Sequence, residues 1–140
     1  MFTYILVSIL AGGVMLFLEE GSKTIPFARR WFASFSLLRR QENFRARRTI
    51  VEIAFGFVFV GFYILFYRAL PLQPGLPRTF FFTLIFWIPT SVYKATSDWA
   101  SFDVPADIHL YAVFVGLIKL LAVSLLFHFT LAPAGLQSVS

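Results

Sequence analysis

VGLIKLLAVSLLFHF, residues 115–129, is an apolar run with one lysine, Lys119, set inside it. Extended in both directions, the run reaches from Ile108 to Leu131. A helix that crosses a bilayer needs about 20 apolar residues, so this stretch is long enough. Lys119 stands eleven residues beyond Ile108, which at about 1.5 Å per residue is about 16 Å along the helix. That is near the middle of a hydrocarbon core roughly 30 Å thick. A lysine there costs about 2.5–3.5 kcal/mol on insertion scales, so something must offset it. Composition says which solvent the run is written for. Hydrophobic residues make up 59% of the 140 residues and charged ones 14%, against roughly 45–50% and 25% in soluble domains. Mean hydropathy is +0.78. A soluble fold of this length, one domain at most, has too little interior to hide that surface, whereas a bilayer accepts it.

Three further segments resemble the first. Phe2–Leu18 stops at Glu19-Glu20, Ile50–Tyr67 is interrupted only by Glu52, and Thr79–Tyr93 is short and contains Pro89. Backbone groups in lipid must bond internally, and no alternating pattern marks barrel strands, so the segments read as helices. The expectation is an all-α integral membrane protein: one domain, 1–140, of four transmembrane helices at 2–18, 50–67, 79–93 and 108–131, with an interfacial helix in the first loop. The first segment has no Lys or Arg ahead of it and no small-residue cleavage site behind it, which favours a retained helix over a signal peptide.

Loop charge sets the orientation. The basic loop 21–48 holds Lys23, Arg29, Arg30, Arg39, Arg40, Arg45, Arg47 and Arg48, eight of the twelve basic residues. Lys and Arg stay on the cytoplasmic side, so this loop is expected inside and both termini outside, in an inner or plasma membrane. The third loop, Lys94–Asp107, shares its face, and Asp98, Asp103 and Asp107 oppose the arginines. Within the first loop Phe27, Trp31, Phe35 and Leu38 recur at helical spacing beside arginines. Such a segment lies in the interface, its arginines on anionic lipid headgroups at about 1 kcal/mol per basic residue. The positive-inside pattern accounts for the basic charge without nucleic acid, for which no recognition module is present. Pro71, Pro74 and Pro77 favour a short polyproline connection between the second and third helices.

The charges inside the spans belong together on spacing grounds. Ala112, Gly116, Lys119 and Val123 share a stripe of the last helix, Ser8, Gly12, Met15 and Glu19 one of the first, and Glu52, Gly56 and Val60 one of the second. Small residues on such stripes let helices approach, and Lys119 leans toward its helix N-terminus, where the carboxylates begin. An intramembrane pair of Lys119 with Glu52 or Glu19 is expected, either as a fastening that fixes register or as an ion or proton relay. His128 falls on the opposite face from Lys119 and reads as an interfacial side chain. Asp103, Asp107 and His109 lack the spacing of a metal site, and Asp107 fits the dipole at a helix start. Pro89 should kink the third helix, with Thr90 and Ser91 able to serve the freed carbonyls. Tryptophans and tyrosines near segment ends fit aromatic belts.

With no cysteine, disulfides, thiolate metal sites and cysteine nucleophiles are excluded. No nucleophile–base set, phosphate loop or catalytic carboxylate pair emerges, and no cofactor or metal is expected. One stretch, Arg45, Arg47 and Arg48 followed by Thr49-Ile50-Val51-Glu52, resembles the arginine-rich approach to an Asn-x-x-Glu motif in the membrane-associated eicosanoid and glutathione metabolism proteins. Thr49 replaces the asparagine, and the Arg/Tyr pattern of the last two helices is missing. The resemblance implies a membrane enzyme with Arg45, Arg48 and Glu52 lining a glutathione pocket. The residues by themselves point first to a non-enzymatic accessory or structural subunit packed against other membrane subunits or itself. The alternative is a small transporter or ion-conducting oligomer built on Lys119 with Glu52 or Glu19.

Overall fold

The computed structural model describes residues 2–26, 28–29, 44–73, 75–101 and 106–131, and no strand occurs among them. Its elements are α1 (Phe2–Thr24), α2 (Phe44–Tyr67), α3 (Leu76–Trp87), a π turn (Ile88–Val92), α4 (Tyr93–Ser101) and α5 (Ala106–Leu131). Three helical stretches are long and apolar enough to cross a membrane: Phe2–Thr24, Thr49–Tyr67 and Ala106–Leu131, with mean hydropathies of 1.9, 2.2 and 2.4. The segment proposed as an interfacial helix, with Phe27, Trp31, Phe35, Leu38, Arg30, Arg39 and Arg40, lies outside the described residues, as does Asp103.

Helix ends differ from the apolar boundaries because apolarity marks what lipid accepts, not where hydrogen bonding stops. α1 runs past Glu19-Glu20 to Thr24, since Glu and Lys are good helix formers. Lys23 in the last turn pairs with Glu20 Oε1 at 2.5 Å and complements the carbonyl end of the dipole. Ser22 and Thr24 hydroxyls donate to the Glu19 and Gly21 carbonyls there. α2 likewise begins at Phe44, six positions before Ile50, its arginines being compatible with a helix though not with lipid.

The third segment departs most from expectation. It begins at Leu76, with Pro77 in the first turn, where a missing N–H is harmless, and continues to Ser101 instead of ending at Tyr93. Pro89 does not break it. The helix widens into the π turn, Tyr93 N–H reaches back to the Ile88 carbonyl, and the Thr90 hydroxyl donates to the Phe86 carbonyl at 2.5 Å. Ahead of it, residues 68–72 turn and bend instead of extending as polyproline. Two contacts hold that connection closed. The Tyr67 hydroxyl hydrogen-bonds the Gly75 backbone at 3.2 Å. The Arg78 guanidinium donates to the Leu72 carbonyl and lies 5.3 Å from the Tyr67 ring centre, a cation–π stack.

Packing alternates in direction. α1 lies antiparallel to α2 and α5, and α3 antiparallel to α5. The α1–α2 crossing is close because glycines meet: a Cβ on Gly56 would stand 2.5 Å from the Ser8 carbonyl oxygen, and one on Gly12 would stand 2.7 Å from Ile53 Cα. Above this crossing the core is aromatic. Phe59 is ringed by Phe82, Phe86 and Phe127 at 5.3–5.7 Å between centroids, and Tyr63 stacks on Tyr67 at 4.6 Å. Phe82 is buried while Phe80 and Phe81 face outward. Leu6, Ile9, Val58, Leu65, Leu110 and Ile118 are likewise turned away from the core, apolar faces that match the length and hydropathy of the three helices able to cross a membrane.

Gly56→Ala should therefore lower the melting temperature in detergent by an amount corresponding to about 1–3 kcal/mol of overpacking. Gly61→Ala, which meets nothing within 4 Å, should leave it unchanged or slightly raised.

Candidate functional site

The glycine contacts set the height of the charges. On α2, Glu52 lies one turn before Gly56; on α1, Glu19 lies two turns beyond Gly12, so both share the faces those glycines press together. On α5, Gly116 receives the Ser91 hydroxyl of the π turn so closely that a Cβ there would clash with it. Lys119 follows Gly116 by three residues, on the same side. The Trp87 indole N–H, donating to the Val113 carbonyl at 2.9 Å, fixes the same seam.

The result brings three charged side chains from three helices together. Lys119 Nζ donates to Glu52 Oε1 at 2.9 Å and to Glu19 Oε2 at 3.3 Å. Side-chain exposures are 16% for Lys119, 14% for Glu52 and 24% for Glu19, so the triad is largely removed from the surface. An ammonium has three donors, and two carboxylates occupy two of them. Removing any one partner leaves a charge poorly solvated and poorly paired, which is where buried ion pairs exert their greatest effect.

Two cavities meet at this lysine. One, of about 290 Å³, opens between α1, the π turn, α4 and α5; its polar lining includes Glu19, Ser91, Lys94, Asp98, His109 and Lys119. The other, of about 230 Å³, lies on the α2 side and is lined by Met15, Val51, Glu52, Phe55 and Leu120. Thr90, Ser91, Gly116 and Lys119 belong to both. π turns inside α-helices recur at functional sites, and this one supplies the shared wall. Spacing had set Lys94, Asp98 and Ser91 aside as loop and kink residues; the π turn brings Ser91, and α4 brings Asp98 and the exposed Lys94, to the edge of the first cavity. The Pro-Thr-Ser run facing Gly116 was the available signal.

Toward the Tyr67/Leu131 end a second polar set lies apart from the triad. Tyr63 Oη and Ser124 Oγ are buried without a hydrogen-bond partner among the described residues. Thr79 Oγ1 stands 3.3 Å from His128 Nδ1, and the Thr83 hydroxyl donates to the Thr79 carbonyl. His128 thus meets Thr79 and does not join Lys119. Phe59, Phe82, Leu120, Val123 and Phe127 pack in one buried cluster with Tyr63 and Tyr67.

Of the arginines assigned to anionic lipid, Arg29 and Arg47 are exposed. Arg45 and Arg48 lie in α2 with side chains outside those described. Asp107 occupies the first turn of α5. Among the described residues no group of three or more His, Cys, Asp or Glu is arranged to hold a metal.

No family model matches the chain, and no curated protein or solved structure is similar to it. The likeness of residues 45–52 to the eicosanoid and glutathione proteins therefore stays confined to those residues. Glu52, which that likeness would assign to a glutathione pocket, is engaged by Lys119.

A double-substitution cycle measures the triad. Glu52→Gln and Lys119→Met should each cost about 3–5 kcal/mol, as breaking one side of a buried pair does. The double variant should lose clearly less than the sum. Additive losses in detergent melting would mean that the two groups do not interact.

Proposed function

We propose that this chain is a four-span integral membrane protein that acts without catalysis, as a packed component of a membrane assembly with other subunits or with itself. Three stretches already have the length and apolarity of spans. The fourth is the continuous helix from Leu76 through the π turn to Ser101, which at about 1.5 Å per residue is about 39 Å long and exceeds a core of roughly 30 Å. Its interruption by Pro89 and its polar last turns lower its apolarity, not its reach. With the arginine-rich loop at the cytoplasmic face, both termini lie outside.

The observation that carries the component reading is the engagement of Lys119 by two carboxylates on two other helices. A lysine so used is a fastening between α1, α2 and α5. A relay across the membrane needs charged or strongly polar groups in succession, and beyond the triad the buried cluster is mostly apolar, with Phe59, Leu120, Val123 and Phe127 in it.

A second reading has its own observation. Two cavities converge on Lys119 from different sides, as a half-pathway for an ion or small solute ending at the triad would require.

Extraction and sizing separate these readings. The native chain should resist alkaline carbonate, and Arg39–Arg48 should be protected from protease outside intact cells. In mild detergent the component reading expects a stoichiometric complex with another subunit or a defined homo-oligomer. A lone monomer would overturn it, and a homo-oligomer whose proteoliposomes pass ions in a Lys119-dependent manner would replace it with the second.

A further inference from the structure

The cavity of about 290 Å³ is a groove between two helical faces. Its α5 wall is made by Ile108, His109, Ala112, Gly116 and Lys119, positions three or four apart that share one face. From Ile108 to Lys119 that face runs about 16 Å. The opposite wall is Thr90 and Ser91 of the π turn with Lys94 and Asp98 of α4. The rim lies where helices end: His109 is in the first turn of α5, Ser22 in the last turn of α1, and Lys94 is exposed. The groove thus leads from the helix ends inward to Lys119.

Its polar groups ask for more partners than the fold supplies. His109 Nε2 is buried with no hydrogen-bond partner among the described residues. Lys119 has three N–H groups and gives two of them to Glu52 and Glu19. Half-buried Asp98 adds a carboxylate to the wall. An acyl chain in this space would leave such groups unanswered, at the cost of burying them unpaired. Water answers all of them, given room and polar partners, and the groove has both. The cavity of about 230 Å³ on the α2 side differs. Beyond the four residues that the two cavities share, it is lined by Met15, Val51, Phe55 and Leu120, together with Glu52, which is already bonded to Lys119.

We infer that the first cavity is a water-filled crevice that carries cytoplasmic solvent to Lys119 at hydrocarbon depth, whereas hydrocarbon fills the second cavity up to the same lysine. The inference rests on the proposed membrane topology, which places the rim of the groove at the cytoplasmic face. Water takes the third N–H of Lys119, and the triad remains a fastening. It is also open to protons and small hydrophilic solutes from one side.

The chain has no cysteine, so one introduced thiol is the sole target for a charged, membrane-impermeant methanethiosulfonate. The reaction needs the thiolate, which water permits and apolar surroundings suppress. In inverted membrane vesicles, Ala112→Cys at mid-groove and Ser91→Cys near its floor should react from the cytoplasmic face. Ile118→Cys, beside Lys119 in sequence but exposed on the outer surface of the bundle, should react at least about tenfold more slowly, the effect of one unit in thiol pKa. Phe55→Cys in the second cavity should be equally slow. Thr90→Cys, which also lines both cavities, repeats the measurement if Ser91→Cys does not fold. Fast reaction at Ala112→Cys with Ser91→Cys and Thr90→Cys as slow as Ile118→Cys would overturn the crevice, since water then stops at the rim. Phe55→Cys as fast as Ser91→Cys would overturn the difference between the two cavities. Reaction from the outer face alone would overturn the assignment to cytoplasmic water. Fast reaction at every position, Ile118→Cys included, would show that α5 is not in hydrocarbon, and the topology would fall together with the crevice.

Discussion

One ammonium in a low-dielectric interior governs the arrangement of this molecule. Lys119 cannot face hydrocarbon without cost, so the helices that approach it must carry carboxylates at its height. Glu52 and Glu19 do so only because α1 and α2 come unusually near each other, and they come near because glycine stands at 12 and 56. The sequence of dependence runs from glycine to helix separation, from separation to charge height, and from there to a triad at 2.9 and 3.3 Å. Each link is local, yet the outcome joins residues 100 positions apart. In lipid there is little hydrophobic drive between helices. Contacts of this kind therefore decide which faces meet, and the aromatic layer of Phe59, Phe82, Phe86 and Phe127 fills the space that remains.

The two halves of the bundle solve the problem of polarity differently. Around Lys119 charges are concentrated and paired, with space beside them. Toward the other end the buried polar groups are hydroxyls and His128, with Arg78 closing the connection over Tyr67. The buried cluster of Phe59, Phe82, Leu120, Val123 and Phe127 around the hydroxyls offers few polar groups in succession beyond the triad. The cavities lie to the side, so access to the triad is lateral and from one end.

Much of this was legible in the sequence, and the exceptions share a cause. The apolar runs mark α1, α2 and α5 because hydropathy averages over many residues and needs no tertiary knowledge. The stripes holding Gly12 with Glu19, Gly56 with Glu52, and Gly116 with Lys119 can be read from helical period alone, since uninterrupted helices keep their phase. What escaped reading depended on hydrogen bonds that only the folded chain makes. The extension of α1 to Thr24 rests on Ser22, Lys23 and Thr24 serving carbonyls. The service of Thr90 to a carbonyl freed near Pro89 was legible, but the continuation beyond Tyr93 rests on the widened turn, which no residue pattern marks. Lys94 and Asp98 were taken for loop residues for that reason, and the cavity they help to line was invisible.

The widened turn at Ile88–Val92 has one more effect. It adds a residue to a single revolution, so everything after it is advanced by about 100° relative to an unbroken helix. Counting onward from Thr79, Phe82 and Phe86 at a steady 3.6 would turn Tyr93 and Ser97 inward, yet both are exposed and Ala95 is buried. The rod thus presents two unrelated faces, hydroxyl and aromatic before the turn and charged after it. Length, in this stretch, encodes direction: shortening the chain by a single residue there would keep every other side chain and aim the half after the turn elsewhere.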